Sequence, residues 1–486
     1  MAKSFLMPLL LGTMLTACAV GPDYEAPGFA MPESWPWETP TTHIMSAQTP
    51  TAISATWWEG FNDPTLTALI TEGLQNNDDL RIAASRVAQA RGLLSQREVD
   101  LYPDLGIEAG ASRTSDSARS TFGSGFAAND KPYNSYSLAT VFDYEIDIWG
   151  RLRRATESAT AQLFAAQANR DAIRLAIASD IASGYFNLLA LDAQILVTDN
   201  TIKARSEAYD YQNKQYDQGA ADTLTFKQAE AELASARAQL PILQQARYEQ
   251  QSALSVLLGR EPVELAKGLV TPEKLIDALP NPPHMPADVP SSLIERRPDI
   301  AAAEQKLIAA NADIGVAKSD YFPRLSLTAL LGLGSAEAGD LLSSSARKWS
   351  AAAGIAQPII GLLRTDARVD SAQARKDEAL ATYQQSVRMA FKDVLDSMSA
   401  LDTTTRRIDA ETAHTNARSD TLQQAQLRYD AGYSNYLELL DAQRFLYQAQ
   451  LDRITAKRDR LNASVSLYKA LGGGWDNNAL TEKEAE

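Results

Sequence analysis

Residues 136–151 read YSLATVFDYEIDIWGR and begin with the clearest period-two pattern in the chain. Alternation of this kind gives the two faces of a β-strand different environments. One face is bulky and largely apolar, with Tyr136, Leu138, Thr140, Phe142, Tyr144, Ile146 and Ile148. The other face ends in the acids Asp143, Glu145 and Asp147. The stretch predicts a two-sided strand, and a helical pattern begins after Gly150.

The chain consists of two copies of one unit, which is the first thing to establish in a long sequence. Tyr102 and its neighbours recur around Phe322 at an offset of 220, and Gly219 recurs as Gly432 at an offset of 213. The offset changes mainly within residues 113–135, a stretch rich in Ser, Gly, Asn and Asp. Loops accept such length differences and packed elements do not, so this stretch is predicted to be a surface loop.

Each copy is predicted to contain a helix, a strand, a loop, a second strand, a very long helix, a tight turn and a shorter returning helix. In the first copy Asp63 caps a helix that runs to about Asp100, with Pro64 as its first residue. The remaining elements are strands at 105–111, 136–148, 325–333 and 350–359, and helices at 151–217, 223–258, 362–430 and 436–471. The pattern over 151–217 contains no proline, and its length indicates coiled-coil packing.

The predicted strands fit two architectures. Their 9–13 residues match the length that a tilted strand needs to cross a bilayer, and a long polar loop joins the first pair. A soluble sandwich would show similar alternation. If the strands form a barrel, several chains must build it, because one chain offers four strands and the smallest membrane barrels have eight.

The first 17 residues have the charge and apolar length of a signal peptide. They end with Leu15-Thr16-Ala17, and Cys18 follows. These four residues resemble the bacterial lipoprotein box, which predicts a covalent lipid on Cys18. An ordinary signal peptide with an incidental cysteine is the alternative. Residues 18–62 are rich in Pro and Trp and predict an extended strap, whose tryptophans lie either along a larger body or at a membrane surface.

These patterns divide the chain into a signal peptide (1–17), a lipidated strap (18–62), a first repeat (63–261), a Pro-rich linker (262–290), a second repeat (291–474) and a polar tail (475–486).

The composition excludes several classes of protein. A net charge of −15 argues against a nucleic-acid partner. One cysteine and three histidines give no metal or Cys/His catalytic cluster, and no cofactor, nucleophile or phosphate motif indicates an enzyme. No run of 18 apolar residues follows residue 20, so no membrane-spanning helix is expected.

Four motifs stand out in the sequence: Trp57-Trp58-x-x-Phe61-x-Asp63-Pro64, Phe142-Asp143-x-x-Ile146-Asp147-x-Trp149-Gly150-Arg151, Glu295-Arg296-Arg297-Pro298-Asp299-Ile300-x-x-Ala303-Glu304 and Arg428-Tyr429-Asp430-x-Gly432. In this order, they resemble signatures of the outer-membrane efflux family, the TolC-like channels of tripartite pumps, in its lipoprotein branch. The resemblance implies an α+β fold in which three chains form a homotrimer. Four strands per chain would form a twelve-stranded outer-membrane barrel, continued by an α-helical coiled-coil barrel across the periplasm.

The resemblance also implies a function. The channel would be a passive exit duct for small molecules, with a periplasmic adaptor protein and an inner-membrane pump as partners. A duct for type I protein secretion and a non-channel periplasmic lipoprotein scaffold are the alternatives.

Three groups of residues follow as candidate sites. Gly219 and Gly432 suit tight reversals, and the resemblance makes both tips adaptor contacts, with Gly219, Ala220, Ala221, Gly432, Tyr433 and Ser434. It also places Tyr429, Glu438 and Asp441 at a narrow periplasmic gate, whereas two acids on one helix face are otherwise a solvated surface feature. The first copy departs from this pattern, with Thr225 and Gln228 at the matching positions. The strand acids Asp143, Glu145 and Asp147 are expected to face the lumen.

Overall fold

The computed structural model describes residues 19–29, 45–46, 54–115, 132–261, 263, 285–286 and 296–475. Cys18, the signal peptide and the tail after residue 475 lie outside the described residues, as do most of the linker and of the first long loop. The described residues group into two compact units. The first consists of the described residues within Met1–Gly28, Val87–Ala166 and Ala303–Tyr383, and the second of those within Phe29–Arg86, Gln167–Ala302 and Gln384–Glu486.

The first unit contains a four-stranded antiparallel sheet. Its strands are β1 (Asp104–Thr114), β2 (Tyr133–Ile146), β3 (Arg324–Ser335) and β4 (Arg347–Ala356), in that spatial order. Both copies contribute a strand pair, and the copies meet where β2 lies antiparallel to β3. Among the described strands, the outer edges of β1 and β4 have no partner. The prediction that the last strand reaches Ile359 was wrong, because Pro358 cannot donate to a strand ladder.

The sheet lacks a buried face. Every residue of β4 is exposed, and β1 is exposed at all positions but one. The central strands β2 and β3 are exposed or partly buried at every position except the buried Ala139. A sandwich would bury one face of each sheet against the other. The exposure of both faces therefore argues against the sandwich alternative.

The helices follow the predicted pattern with one correction. Asp63 caps α1 (Pro64–Asn76) by accepting from the backbone N–H groups of Thr65 at 2.9 Å and Leu66 at 3.2 Å. The predicted continuous helix to about Asp100 was wrong, because Asn77 interrupts it with an extended backbone. Its Oδ1 accepts from Asp79 N at 2.9 Å and caps a second helix, α2 (Asp78–Val99).

The long helices have almost the predicted bounds. They are α3 (Arg151–Asp217), α4 (Thr223–Leu257), α6 (Leu362–Asp430) and α7 (Tyr436–Ala470), while α5 (Pro298–Ser319) is the second-copy counterpart of α2. One described helix, α3, contains an 18-residue window of mean hydropathy 1.3, apolar enough to cross a membrane, although the sequence predicted none. Within the chain 56% of that window is buried, which is typical of a core helix.

Aromatic residues from the strap build part of the core of the second unit. Trp57 and Trp58, at 3% and 5% exposure, begin a short 3-10 helix, Trp57–Phe61. The Trp57 ring stacks on Tyr468 with centroids 5.1 Å apart, and Phe61 packs against Phe186. Trp57 and Trp58 therefore pack along a larger body, which was one of the two alternatives for the strap tryptophans.

Candidate functional site

The first hairpin tip joins α3 to α4 and depends on a left-handed glycine. Gly219 has φ of +72°, and Ala220 N donates to Gln215 O at 2.8 Å. This is the six-to-one bond of a Schellman motif, which ends a helix and satisfies its last carbonyls. Asp222 then caps α4 by accepting from Thr225 N at 2.7 Å, and this bond lowers the pKa of Asp222.

The second tip, between α6 and α7, repeats this backbone. Gly432 has φ of +75°, and Tyr433 N donates to Arg428 O at 2.8 Å. Asn435 caps α7 by accepting from Glu438 N at 3.1 Å. Two copies of the sequence therefore build the same Schellman ending and the same N-cap, with Asn in place of Asp.

The tip residues named from the sequence differ in accessibility. Gly219, Ala220, Gly432 and Tyr433 are exposed, and Ala221 and Ser434 are partly buried. Tyr433 is 80% exposed. Leu224 and Leu437, in the first turn of the following helices, are exposed apolar side chains at matching positions of the two copies. Both tips thus present small and apolar groups to their surroundings.

The candidate gate residue Tyr429 joins the two copies. Its hydroxyl accepts from Nε2 of Gln212, a buried residue of α3, at 2.8 Å. Its ring lies 6.0 Å from that of Tyr436, centroid to centroid. Burial is the main cause that raises the pKa of Tyr436. The Tyr429 contact ties α6 of the second copy to α3 of the first.

The two candidate gate acids are paired with arginines. Glu438 lies 3.3 Å from Arg428, and Asp441 lies 3.1 Å from Arg444. Both carboxylates remain about half exposed. The four side chains therefore sum to zero formal charge.

A buried carboxylate, Glu232 of α4, connects this group to the first copy. Its Oε2 lies 3.1 Å from Arg205 Nη1, and Oε1 accepts from Arg444. Hydrogen bonding to Glu232 is the largest cause that raises the pKa of Arg444. We call Arg205, Gln212, Glu232, Arg428, Tyr429, Glu438, Asp441 and Arg444 the tip network.

The sequence contains a signal for Glu232 that went unused. Ala229, Glu232, Leu233 and Ala236 form the buried stripe of α4 at helical spacing. A carboxylate within such a stripe needs a buried cationic partner, and Arg205 is such a residue. Neither Glu232 nor Arg205 was predicted from the sequence, because the prediction relied on the two acids that follow the second turn, Glu438 and Asp441.

The strand acids occupy different environments. Asp143 is exposed on β2. Glu145 accepts two hydrogen bonds from Arg151, each 2.8 Å long, and Asp147, beyond the end of the strand, accepts from Arg153 N at 3.0 Å. Two of the three acids therefore join strand to helix, and their position toward a lumen stays a prediction.

The described beginning of the strap lies against the first unit. Val20 N donates to Trp149 O at 2.9 Å, and Asp23 pairs with Arg154 at 2.6 Å. Asn311 donates to Pro22 O at 2.8 Å. These contacts fix the segment that follows Cys18, which itself lies outside the described residues.

A family model for outer membrane efflux proteins matches residues 69–260 and 289–473 of the chain. The chain belongs to the outer membrane efflux protein family. The two matched stretches coincide with the two copies of the sequence unit, since each carries one strand pair and one long helical hairpin.

Individual members of this family resemble the chain over nearly its whole length. The solvent efflux pump outer membrane protein SrpC of Pseudomonas putida is 32% identical over 96% of this chain and 98% of its own. The cation efflux system protein CusC of Escherichia coli is 29% identical over 98% of this chain and 100% of its own. The solved outer-membrane channel OprN superposes with a TM-score of 0.86 at 30% identity, over 94% and 100% of the two chains.

These likenesses confirm the family, the fold class and the outer-membrane location predicted from the sequence. The chain is an outer-membrane efflux channel protein that extends into the periplasm. Among the described residues, no group of three or more His, Cys, Asp or Glu side chains is arranged to hold a metal ion.

Proposed function

We propose that the chain is the outer-membrane duct of a tripartite efflux pump, open to small molecules such as drugs, toxic compounds or ions. The observation that carries this proposal is the four-stranded sheet with two exposed faces and two free edges. A free strand edge in a membrane leaves backbone groups unpaired, so the sheet needs further strands to close.

Three copies supply those strands. Four strands from each chain give twelve, which closes a barrel wide enough for a lumen. The free edge of β1 in one copy would pair with that of β4 in the next. The long hairpins of the three copies would continue the wall into the periplasm as a coiled-coil barrel.

The chain performs no catalysis in this account, and it binds no cofactor apart from a covalent lipid. The lipid is attached to Cys18 after removal of residues 1–17. An inner-membrane pump provides the energy, and a periplasmic adaptor protein connects that pump to the duct. The exposed residues of both hairpin tips are the surface for the adaptor.

The tip network keeps the periplasmic end of the duct narrow. Tyr429 and Glu232 support this role, because each connects a helix of the second copy to one of the first. Opening the end would separate these helices and break both connections. Asp143, Glu145 and Asp147 line the duct near the change from strands to helices.

Planar-bilayer recording of the purified protein, with native mass spectrometry of the same sample, tests the proposal. We expect a mass of three chains, an acyl-sized addition on Cys18 and discrete conductance steps. A monomer that conducts, or a trimer that never does, would contradict the duct.

A further inference from the structure

The first unit contains a cavity of about 530 Å³ at the end of α5 and the beginning of α6. Its lining includes five arginines, Arg151, Arg324, Arg364, Arg368 and Arg375, and two aspartates. The lining therefore carries a formal charge of +3. The packing of a sheet end against its helices does not require such an excess of one sign.

Only part of this charge is compensated inside the chain. Asp320 accepts from Arg324 at 2.8 Å and from Arg368 at 2.6 Å. Arg151 is paired with Glu145. Arg364 and Arg375 are exposed, and within the described part of the chain neither guanidinium has an ion pair or hydrogen bond. Two guanidinium groups thus remain available as donors at one cavity.

The cluster is repeated only in part. The offset of 211 that relates Gly150 to Gly361 places Arg153 at the position of Arg364, Glu157 at that of Arg368 and Phe164 at that of Arg375. The same elements therefore fold in the first copy without counterparts of Arg368 and Arg375. Those two arginines are not a requirement of the repeat.

The beginning of the strap lies close to this cavity. A Cβ on Gly150 would lie 2.9 Å from Ala19 Cα, and Arg151, the next residue, lines the cavity. Cys18 directly precedes Ala19 in the sequence. The acyl chains proposed on Cys18 insert into a membrane, so this part of the first unit would face lipid headgroups. This step rests on the proposed function.

Exposed apolar side chains lie next to the arginines in the sequence. Ile360 is 93% exposed, and Ile359 and Leu363 are exposed nearly as much. Leu363 directly precedes Arg364. Large apolar groups next to unpaired arginines are typical of a surface in contact with a membrane, where tails and phosphates adjoin.

We propose that the cavity holds the phosphate headgroup of an anionic phospholipid from the leaflet that carries the Cys18 anchor. Arg364 donates to the phosphodiester oxygens, in the geometry that makes guanidinium a good phosphate ligand. Arg375 follows eleven residues later on α6, about 16 Å along the helix axis, and contacts the far side of the same headgroup. Ile359, Ile360 and Leu363 contact the acyl chains of the same lipid. One such site in each copy places three bound lipids around the assembled duct.

Native mass spectrometry with phosphatidylglycerol and phosphatidylethanolamine as probes tests this proposal. For Arg364→Gln with Arg375→Gln, we expect the apparent affinity for phosphatidylglycerol to fall about tenfold or more, as charge-assisted hydrogen bonds are lost. The pair Arg91→Gln with Arg388→Gln removes the same charge from exposed positions outside the cavity and should change little. Arg364→Lys with Arg375→Lys keeps the charge and should retain much of the binding.

Several results would overturn the proposal. One is an equal loss of phosphatidylglycerol affinity in the cavity and control variants. Another is equal retention of phosphatidylglycerol and phosphatidylethanolamine by the protein. A third is full displacement of phosphatidylglycerol by inorganic phosphate, which would assign a site for free anions. Dissociation of the cavity variant into monomers, with the control still assembled, would make the arginines contacts between copies. Intact mass reads lipidation of Cys18 in the same sample, so a missing acyl group is distinguishable from a missing bound lipid.

Discussion

The two hairpin tips have the same backbone and different side chains. Each ends its long helix with a left-handed glycine, Gly219 or Gly432, and begins its return helix with a side-chain cap. Past the second turn stand Glu438, Asp441 and Arg444. At the matching positions of the first copy stand Thr225, Gln228 and Ala231, so the turn is duplicated and the charged group is not.

The second tip therefore depends on residues of the first copy for its hydrogen-bond and ion-pair partners. Arg444 reaches Glu232 of α4, and Tyr429 reaches Gln212 of α3. The second copy has no equivalent of the first-copy ion pair. Arg418 stands at the position of Arg205, and Phe445 stands at the position of Glu232. The Arg418 guanidinium lies over the Phe445 ring, 4.6 Å from its centroid. A turn can be copied alone, whereas this network needs both copies.

The largest expected effect comes from Glu232→Gln. The substitution leaves the buried guanidinium of Arg205 without its carboxylate, and breaking a buried ion pair in this way costs roughly 3–5 kcal/mol. We expect a lower midpoint of thermal unfolding in detergent and a higher conductance in planar bilayers. Glu230→Gln on the exposed face of α4 is the matched control. Equal midpoints and conductances for the two variants would remove Glu232 from the network.

The next largest effect is on ion selectivity. Glu438→Gln with Asp441→Asn removes two carboxylates per chain and leaves Arg428 and Arg444 with an unbalanced positive charge at the tip. Cation-over-anion permeability, measured from reversal potentials, should fall, and conductance should rise if the pairs hold the end closed. Unchanged selectivity in an intact trimer would mean that these acids are solvated surface groups.

The reverse change introduces the two acids at the first tip. Thr225→Glu with Gln228→Asp places the two acids past the first turn, where Ala231 stands at the position of Arg444 and offers no cationic partner. Unpaired carboxylates should raise cation permeability by more than the paired acids of the second tip contribute. The same reversal-potential measurement decides, and a loss of cation permeability would contradict a position of both tips near the ion path.

Tyr429→Phe should have a smaller effect. It removes the hydroxyl that accepts from the buried Gln212 amide and leaves the ring in place. A lost neutral hydrogen bond costs about 1 kcal/mol, so we expect a modest rise in conductance and a small drop in the unfolding midpoint. Tyr433→Phe, at the exposed position of the same tip, is the control and should change neither.

The smallest expected effect is a pH dependence of stability that distinguishes the Asp222 cap of α4 from the Asn435 cap of α7. Hydrogen bonds from Thr225 lower the pKa of Asp222 below its unfolded value of about 3.9. The cap therefore stabilises the folded state fully above that value and loses its contribution as the pH falls through the folded pKa. Against Asp222→Asn, which does not titrate, the wild-type unfolding midpoint should drop additionally below about pH 4. A difference between the two proteins that is independent of pH would exclude this role.

The sequence predicted the elements better than the contacts. The bounds of α3 were right because no proline interrupts its periodic pattern. The break at Asn77 was missed, since its amide donates to Leu257 O at 2.8 Å and that partner is 180 residues away in the chain. The partners of Glu438 and Asp441, by contrast, are close to them in the sequence. Arg444 was identifiable as a neighbour, but its bond to Glu232 exists only after two hairpins pack.

In the proposed duct, the free edges of the sheet close between copies of the chain. Cys18 is the only native cysteine, so engineered pairs on the two edges report directly on that closure. Ala109→Cys on β1 would be combined in turn with cysteine at Ala351, Ala352 or Ala353 on β4, and each protein oxidised in membranes. We expect at least one pair to give a reducible ladder of one, two and three chains that stops at three. A product that stays at one chain for every pair, or a ladder that continues past three, would contradict this closure.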